Sequence, residues 1–257
     1  MQKVSDPVVF DGKKFAREIE ESLPKVKARL VSIYDANNPG AVKYTEIKEK
    51  KASELGIEFE KIQISNDKSQ VKTKIQILNK DKSVNGIMIQ MPFPNAKFLI
   101  DLIDPRKDVD GLREDSPYLP AVVRAVCEIL NSKYEIPNKF KIKNPKIVVV
   151  GSKGMVGKRL IKVLDVRYSV SGMDKDDFSV ERLKQADVII SATGQADLIK
   201  GNMVKNGFVA IDLGYPKAEF TPSALLRASF YTPVPGGVGP VTVAMLFKNL
   251  VELGYGI

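Results

Sequence analysis

Hydrophobic residues recur along the chain with two alternating spacings. Short continuous apolar runs, such as "GIMIQM" and "KIVVV", are typical of strands buried on both faces. Between them lie stretches in which apolar residues recur every three or four positions, as they do in amphipathic helices. Because strands separated by helices indicate βαβ units, the pattern predicts an α/β fold with mainly parallel sheets.

The same spacings give approximate bounds for each element. We predict helices over residues 11–28, 41–55, 67–79, 121–132, 154–165, 178–185 and 243–254, with a further short helix between residues 192 and 207. We predict strands over residues 29–35, 57–64, 85–91, 146–150, 168–172, 187–192, 207–214 and 230–234. The polar stretch 131–145 predicts a connector, after which the strand–helix rhythm restarts. Two α/β domains are therefore expected.

Composition then excludes several classes of protein. The chain has 257 residues, of which 44 % are hydrophobic and 28 % are charged, as in ordinary globular domains. No apolar run approaches the roughly 18 residues of a membrane helix, and the first residues carry no secretory signal, so we expect a cytoplasmic protein. The single cysteine, Cys127, excludes an internal disulfide and fits a reducing compartment.

The chain contains no histidine, and this restricts its chemistry. Ser–His and Cys–His nucleophiles are excluded, and without a cysteine cluster we expect no metal site. Acid–base chemistry is left to Lys, Tyr, Asp or Glu. The net charge of +9 favours small anionic ligands, because the cations are dispersed and aromatic residues are only 7 %. We expect neither nucleic-acid nor membrane binding.

One glycine-rich stretch, "VVVGSKGMVGKRL", joins a predicted strand to a predicted helix. Its glycines, Gly151, Gly154 and Gly157, follow a G-x-x-G-x-x-G spacing rather than the usual G-x-G-x-x-G. Loop amides and a helix N-terminus at such a turn can bind a phosphate. By itself the stretch fits a dinucleotide site and an ordinary strand-to-helix turn equally well.

Polar residues of the first half stand at positions where ligands can bind. Tyr44 and Lys48 are four apart and therefore share one helix face. Gln90 ends a buried strand, and strand ends bind ligands in open α/β sheets. Asp110 lies in the glycine turn "DPRKDVDGL". Taken singly, these features also fit a solvated helix, a strand-capping amide and a solvated turn aspartate.

The stretch before the last predicted helix has an unusual composition. It reads "TPVPGGVGPVT" over residues 232–242 and holds three prolines and three glycines. Proline fixes φ and glycine opens conformations that other residues avoid, so together they specify one backbone path. Glycines also let the backbone approach a ligand closely.

Taken together, these stretches resemble the bifunctional methylenetetrahydrofolate dehydrogenase/cyclohydrolase family. "YTEIKEKKASELGI" is similar to the family's Tyr-x-x-x-Lys helix, and "GIMIQMPFP" to its Gly-Ile-x-x-Gln-x-Pro-x-Pro strand end. "KDVDG" matches its Lys-Asp-Val-Asp-Gly turn, and "GSKGMVGK" occupies its cofactor loop. "TPVPGGVGPVT" nearly repeats its C-terminal signature. The motifs occur in the family's order from near residue 10 to the end.

The resemblance implies two activities. One is oxidation of 5,10-methylenetetrahydrofolate to the methenyl compound with a nicotinamide cofactor, and the other is hydrolysis of the methenyl bridge to give 10-formyltetrahydrofolate. It places the folate in a cleft between the two domains. The implied roles are general acid/base for Lys48, hydrogen-bond partner of its amine for Gln90, folate stacking or orientation for Tyr44, and acceptor from the pterin N–H groups for Asp110. The implied substrate contacts are completed by Pro235, Gly236 and Gly237.

The resemblance also implies where a dinucleotide binds. The implied contacts are Gly151, Ser152, Lys153, Met155, Val156, Lys175, Thr193, Gly194, Tyr215 and Gly237. Lys153 and Lys175 stand where family members meet the adenosine 2′-phosphate, and two cations there favour NADP. Asp174, about 23 residues beyond Gly151, instead has the offset of a carboxylate that binds a free ribose 2′-hydroxyl, so NAD stays open.

The chain departs from the family pattern at several positions. Ala41 stands where the family often has serine, and Pro120 is followed by Ala121 rather than by Cys-Thr-Pro. The cofactor loop reads Gly-Ser-Lys instead of Gly-Arg-Ser, and residues 173–175 read Met-Asp-Lys instead of Cys-His-Ser. The lost threonine bears on the geometry of the dehydrogenase reaction, and the altered loop bears on the choice of cofactor.

The resemblance implies how the chain divides. A folate-binding catalytic domain is expected over residues 1–120 with the C-terminal helix 241–257, and a Rossmann-like dinucleotide-binding domain over 121–240. The family leads us to expect a homodimer. Two alternatives stay open: a monofunctional dehydrogenase of the same fold, and a non-enzymatic basic binding protein.

Overall fold

A computed structural model of the chain describes residues 6–64, 68–132 and 144–255. Strands β1 to β9, in chain order, are Val8–Val9, Arg29–Tyr34, Glu58–Gln63, Gly86–Ile89, Lys146–Val150, Ser169–Met173, Val188–Ser191, Phe208–Asp212 and Ala228–Tyr231. Helices α1 to α9 are Gly12–Glu21, Pro39–Leu55, Lys68–Lys80, Ala96–Ile100, Ala121–Asn131, Met155–Leu164, Val180–Gln185, Pro222–Leu225 and Val238–Tyr255. Most of the predicted connector, residues 133–143, lies outside the described residues.

The chain forms two compact units. The three-stranded unit comprises residues 17–121 and 243–255, and the six-stranded unit comprises residues 6–16 and 122–242. Each is named for its sheet, and every strand pair in both sheets is parallel. The predicted two-domain α/β fold with mainly parallel sheets is confirmed.

In the three-stranded unit, β2 lies between β3 and β4. All four residues of β4 are buried, as the continuous apolar run predicts. The core beneath this sheet is aliphatic and includes Val31, Ile33, Ile75, Ile87 and Leu99. The sheet therefore gives a rigid support to the residues that follow β4.

The last part of α9 belongs to the three-stranded unit. Asn249 is fully buried there, and its amide nitrogen donates to the carbonyl oxygens of Val109 at 2.9 Å and Leu119 at 3.2 Å. A side chain at Gly86 would approach the Leu250 side chain to 2.9 Å, so the helix lies close to β4. The last part of α9 thus packs on the three-stranded unit, as expected from the sequence.

The six-stranded sheet has the order β1-β9-β8-β7-β5-β6. Its central strands β5, β7 and β8 are almost wholly buried. Because all the strands are parallel, the residues that follow β5, β6, β7 and β8 lie at one edge of the sheet. That edge carries the glycine-rich loop and most of the predicted dinucleotide contacts.

Residues 6–16 were expected with the folate domain but lie in the six-stranded unit. β1 pairs with β9, with Val8 opposite Phe230, and the Phe10 ring lies 5.8 Å from the Phe230 ring. A side chain at Gly12 would come within 1.9 Å of the Gly237 carbonyl oxygen. A two-residue strand carries too little periodicity to be found in a sequence, and its partner is more than 200 positions away.

Two helix bounds differ from the predicted ones by five residues or more, each for a physical reason. α1 ends at Glu21 rather than at residue 28, because Pro24 cannot continue a helix. α9 begins at Val238, inside the stretch that we predicted as a loop. Pro240 then occupies the first turn, where its missing N–H has no partner to lose. In the described parts of the chain, no helix is long and apolar enough to cross a membrane.

Candidate active site

A buried amine stands at the centre of the three-stranded unit's site. Lys48 is 6 % exposed, and its Nζ donates a hydrogen bond of 2.8 Å to Oε1 of Gln90. Nζ also lies 3.7 Å from the sulfur of Met88. Gln90 is itself fixed, because its backbone N–H donates to Ile33 over 2.8 Å. The amide thus stabilises the amine without adding a charge.

Local sequence explains why Lys48 is held so firmly. It lies in the middle of α2, whose start is capped by Asn38 as its Oδ1 accepts from the Ala41 N–H at 2.9 Å. Gly56, at φ 71°, ends the helix in the left-handed conformation. Tyr44 lies one turn before Lys48 and is half-buried. A capped helix on a sheet therefore presents both residues in a fixed orientation.

Burial controls the protonation of this site. Burial removes the Lys48 amine from water and lowers the pKa of Lys48, and the nearby Asp110 carboxylate opposes that shift. Burial likewise raises the pKa of the half-buried Asp110, and Lys48 opposes it. An amine whose pKa is lowered gives up its proton more readily than a solvent-exposed lysine does, so Lys48 is better suited to accept and donate a proton.

The three aspartates of the turn "DPRKDVDGL" make different contacts. Asp104 caps the 3-10 turn Pro105–Lys107 through the Arg106 N–H at 2.9 Å. Asp108 is buried and accepts from the Arg113 N–H at 2.9 Å. These two side chains hold the turn. Asp110 is the aspartate that interacts with Lys48.

The glycine-rich loop of the six-stranded unit requires two of its three glycines. Gly151 has φ 85°, and a side chain there would lie 2.4 Å from the Ala192 carbonyl oxygen. A side chain at Gly157 would lie 2.2 Å from the Gly151 carbonyl oxygen. At Gly154 the corresponding distance is 3.2 Å, which is less restrictive. The loop leads directly into α6, so its amides and the helix N-terminus can face a phosphate.

Residues after β6 contact this loop. Oδ2 of Asp174 accepts from the Lys153 N–H at 3.1 Å, and Oδ1 accepts from the Lys175 N–H at 3.0 Å. The Lys153 ammonium forms an ion pair with Asp176. The loop amide of Lys153 holds the pKa of Asp174 below its usual range. A carboxylate and two lysines thus lie at the strand end where a ribose would bind.

The remaining predicted contacts lie at the same edge of the six-stranded sheet. Thr193 and Gly194 follow β7, and Tyr215, which is 42 % exposed, follows β8. In residues 232–237, which precede α9 and are called the signature loop, Gly236 has φ 106°, and a side chain at Gly237 would lie 2.6 Å from the Pro233 carbonyl oxygen. The other predicted contacts here are Ser152, Met155, Val156 and Pro235, all at least partly exposed.

Two buried carboxylates in this unit were not predicted from the sequence as functional residues. Asp212 ends β8 and is 2 % exposed, and Glu219 is 1 % exposed. A polar residue at the end of a buried strand is the signal that singled out Gln90, and the same signal could have found Asp212. Glu219 lies in "YPKAEFTP", which has the composition of a surface turn, so it carries no comparable signal. Among the described residues, no group of acidic, Cys or His side chains is placed to hold a metal ion.

Comparison with known proteins identifies the family. Models of the tetrahydrofolate dehydrogenase/cyclohydrolase family match residues 10–110 with its catalytic domain and residues 120–255 with its NAD(P)-binding domain. The chain belongs to this family. The resemblance predicted from the motifs is therefore confirmed.

Members of the family match over nearly their full length. The bifunctional protein FolD of Moorella thermoacetica is 33 % identical, with 95 % of this chain and 97 % of that protein covered. The crystal structure of FolD from Campylobacter jejuni has a TM-score of 0.86 at 28 % identity, covering 97 % of this chain and 99 % of that one. The Trypanosoma brucei FolD structure, complexed with NADP and an inhibitor, has a TM-score of 0.85 at 25 % identity, with 97 % of each chain covered.

Proposed function

We propose that the chain oxidises 5,10-methylenetetrahydrofolate with a nicotinamide dinucleotide and hydrolyses the methenyl product to 10-formyltetrahydrofolate. The observation that carries the proposal is the buried Lys48 amine, bonded to Gln90 and adjacent to Asp110, within the family's catalytic domain. Hydrolysis needs a group that can move a proton at neutral pH, and a buried lysine with a lowered pKa meets that need.

Lys48 is the proton carrier of the proposed hydrolysis. In the oxidation the methylene bridge loses a hydride, which the bound dinucleotide accepts. Water then adds to the methenyl carbon, and the neutral Lys48 amine takes the proton that the water loses. As the bond from that carbon to N5 breaks, the ammonium returns a proton to N5, the hydroxyl on the carbon releases its proton to solvent, and the carbon remains on N10 as the formyl group.

The residues around Lys48 hold its amine in place and orient the folate beside it. Gln90 accepts a hydrogen bond from the amine and leaves the site without an added negative charge. Tyr44, one helical turn away, stacks on the folate ring and orients it. Asp110 accepts hydrogen bonds from the amino and ring N–H groups of the pterin, a planar donor edge that suits a carboxylate.

The dinucleotide is proposed to be NADP. Lys153 and Lys175 supply cations beside the end of β6, and a relative of known structure is complexed with NADP. NAD is the second candidate, and one observation favours it: the Asp174 carboxylate is fixed at this strand end by the Lys153 amide. Steady-state rates with each dinucleotide decide between them.

The proposed assembly is a cytoplasmic homodimer formed through the dinucleotide-binding unit. Among the described residues, β6 is the last strand in the order of the six-stranded sheet, so its outer edge is the one that we propose a second copy meets. Sedimentation of the purified chain tests the assembly. A monomer at micromolar concentration would reject this part of the proposal.

The reaction itself is tested with the purified natural chain. Dinucleotide reduction is followed with methylenetetrahydrofolate, and loss of the methenyl absorbance is followed separately without dinucleotide. We expect both activities. Dinucleotide reduction alone would indicate the monofunctional alternative, and neither activity, with salt-dependent binding to DNA, would indicate the non-enzymatic alternative.

A further inference from the structure

Glu219 is a buried acid whose carboxylate is fully occupied by one loop. Oε2 accepts from the Thr193 N–H at 2.9 Å and the Thr193 hydroxyl at 2.6 Å, and also from the Ser191 hydroxyl. Oε1 accepts from the Gly194 N–H at 2.7 Å. Every partner belongs to the end of β7 or to the residues that follow it. The carboxylate therefore fixes the path of the chain at the sheet edge.

The backbone of Glu219 is held equally firmly. Its N–H donates to Oδ2 of Asp212 over 2.8 Å, and its carbonyl accepts from Ile199 over 2.9 Å. The Asp212 N–H donates in turn to the Thr232 hydroxyl over 2.8 Å. A continuous chain of hydrogen bonds thus runs from the signature loop, through Asp212 and Glu219, to the loop after β7.

The Thr193 hydroxyl is committed to this network. It donates to Glu219 and accepts from the Gln195 N–H at 3.1 Å. Its donor capacity is therefore used within the protein. The hydroxyl supports the loop, and because the Thr193 and Gly194 N–H groups also donate to Glu219, the carbonyl oxygens of these residues are the backbone groups that Glu219 does not use.

We propose that Glu219 is a positioning residue for dinucleotide binding. Its carboxylate holds Thr193 and Gly194 in place at the end of β7, and the residue itself touches neither substrate nor dinucleotide. This inference rests on the proposed function, because it takes the edge of the six-stranded sheet as the dinucleotide site. It assigns Glu219 no part in the hydrolysis at Lys48.

The hydrogen-bond donors around Glu219 explain why this residue must be glutamate. In Glu219→Gln one oxygen becomes an NH₂ group that faces N–H donors, so at least one loop amide loses its acceptor. Aspartate keeps the charge but is one methylene shorter, so it cannot reach all of the donors at their present distances. A partial recovery by aspartate would therefore separate the effect of charge from that of reach.

The test compares Glu219→Gln and Glu219→Asp with Glu181→Gln, an exposed glutamate of the same unit, as the matched control. The measurements are the KM for NADP, the Kd for NADP by calorimetry, and the rate of methenyltetrahydrofolate hydrolysis without dinucleotide. We expect the KM and Kd of Glu219→Gln to rise about tenfold or more, because a loop amide that has lost its acceptor no longer holds the residues after β7 in place. Hydrolysis should stay within about twofold of the natural chain, and Glu181→Gln should match the natural chain throughout.

Other outcomes separate this inference from the proposed function. Unchanged dinucleotide affinity in a folded Glu219→Gln variant overturns the inference, and so does a parallel loss of hydrolysis. If Glu219→Gln does not fold, Thr193→Val, which removes only the hydroxyl donor, must weaken NADP binding more than hydrolysis. If the natural chain binds NADP but turns over no folate, a weaker Kd in Glu219→Gln still supports the inference while the proposed function fails. A natural chain that binds no dinucleotide overturns both.

Discussion

The Lys48 amine and the Gln90 amide oxygen are 2.8 Å apart and form a hydrogen bond inside the protein. At this contact the amine meets an amide dipole instead of a full negative charge. The contact therefore does not offset the effect of burial, which lowers the pKa of Lys48. This relationship sets the pH range over which Lys48 can carry a proton, and it leads to the first prediction.

Gln90→Glu places a carboxylate against Lys48 and should fix the lysine as an ammonium. An opposite charge at this distance raises an amine's pKa by about 1–3 units. We expect hydrolysis of methenyltetrahydrofolate to fall about tenfold or more near pH 7 and its rising limb to move to higher pH. A pH–rate profile of both proteins measures this. An unshifted profile would mean that Lys48 does not titrate in the rate-determining step.

Lys48→Met should be at least as stable as the natural chain. The folded-state pKa of Lys48 lies below its usual 10.5, so the unfolded chain binds the proton more tightly and folding is opposed near neutral pH. The stability contributed by the neutral amine is present above the unfolded pKa and is lost as pH falls through the folded pKa. The advantage of methionine should therefore be larger at about pH 7 than at about pH 10.

Denaturant unfolding measures that difference. Lys50→Met is the matched control, because Lys50 is exposed on the same helix. Its free energy of unfolding should follow the natural chain within about 0.5 kcal/mol at both pH values. An advantage of Lys48→Met over the natural chain that is no larger near pH 7 than at about pH 10 would contradict the argument from burial.

Gly151→Ala should abolish tight dinucleotide binding and spare the hydrolysis. Alanine there would need φ near 85° and would place Cβ 2.4 Å from the Ala192 carbonyl oxygen. Gly154→Ala, with a nearest approach of 3.2 Å, is the control and should bind within about threefold of the natural chain. Calorimetry with NADP distinguishes the two variants. Equal losses would show that the loop does not require its observed backbone path.

Asp174→Asn should shift the choice of dinucleotide toward NADP. The amide oxygen can still accept from the Lys153 N–H, but the charge that would repel a 2′-phosphate is gone. We expect the ratio of kcat/KM for NADP to that for NAD to rise about tenfold, which corresponds to about 1.4 kcal/mol. Asp165→Asn, an exposed change after α6, should leave the ratio as it is. An unchanged ratio in Asp174→Asn would place the ribose elsewhere.

Asp212 should make stability depend on pH in the acid range. Burial raises the pKa of Asp212 to about 6 from 3.8, against three backbone N–H donors that oppose the shift. A raised folded pKa gives a contribution that is present below pH 3.8 and lost as pH rises through about 6. Relative to Asp212→Asn, the natural chain should therefore gain up to about 3 kcal/mol between about pH 7 and pH 4. Chemical denaturation at several pH values measures it, and a constant difference would show that Asp212 has an ordinary pKa.

Periodicity predicted most of the fold, because its elements are long and their patterns are local. The βαβ order, the helix face of Tyr44 and Lys48, and the strand end at Gln90 all follow from spacings of a few residues. Hydrogen bonds between distant segments could not be predicted in this way. Thr193 and Glu219 are 26 positions apart, and the sheet order alone brings them together. β1 was missed for the same reason, since it is defined by its partner β9.

The most direct test of the central claim is the product formed by Lys48→Met from methenyltetrahydrofolate without dinucleotide. The claim is that Lys48 carries the proton of hydrolysis, and acid–base groups of this kind contribute about 10²- to 10⁴-fold. The natural chain should convert the methenyl compound to 10-formyltetrahydrofolate, and the folded variant should be slower by at least about 10²-fold. Hydrolysis by Lys48→Met at the natural rate would contradict the account.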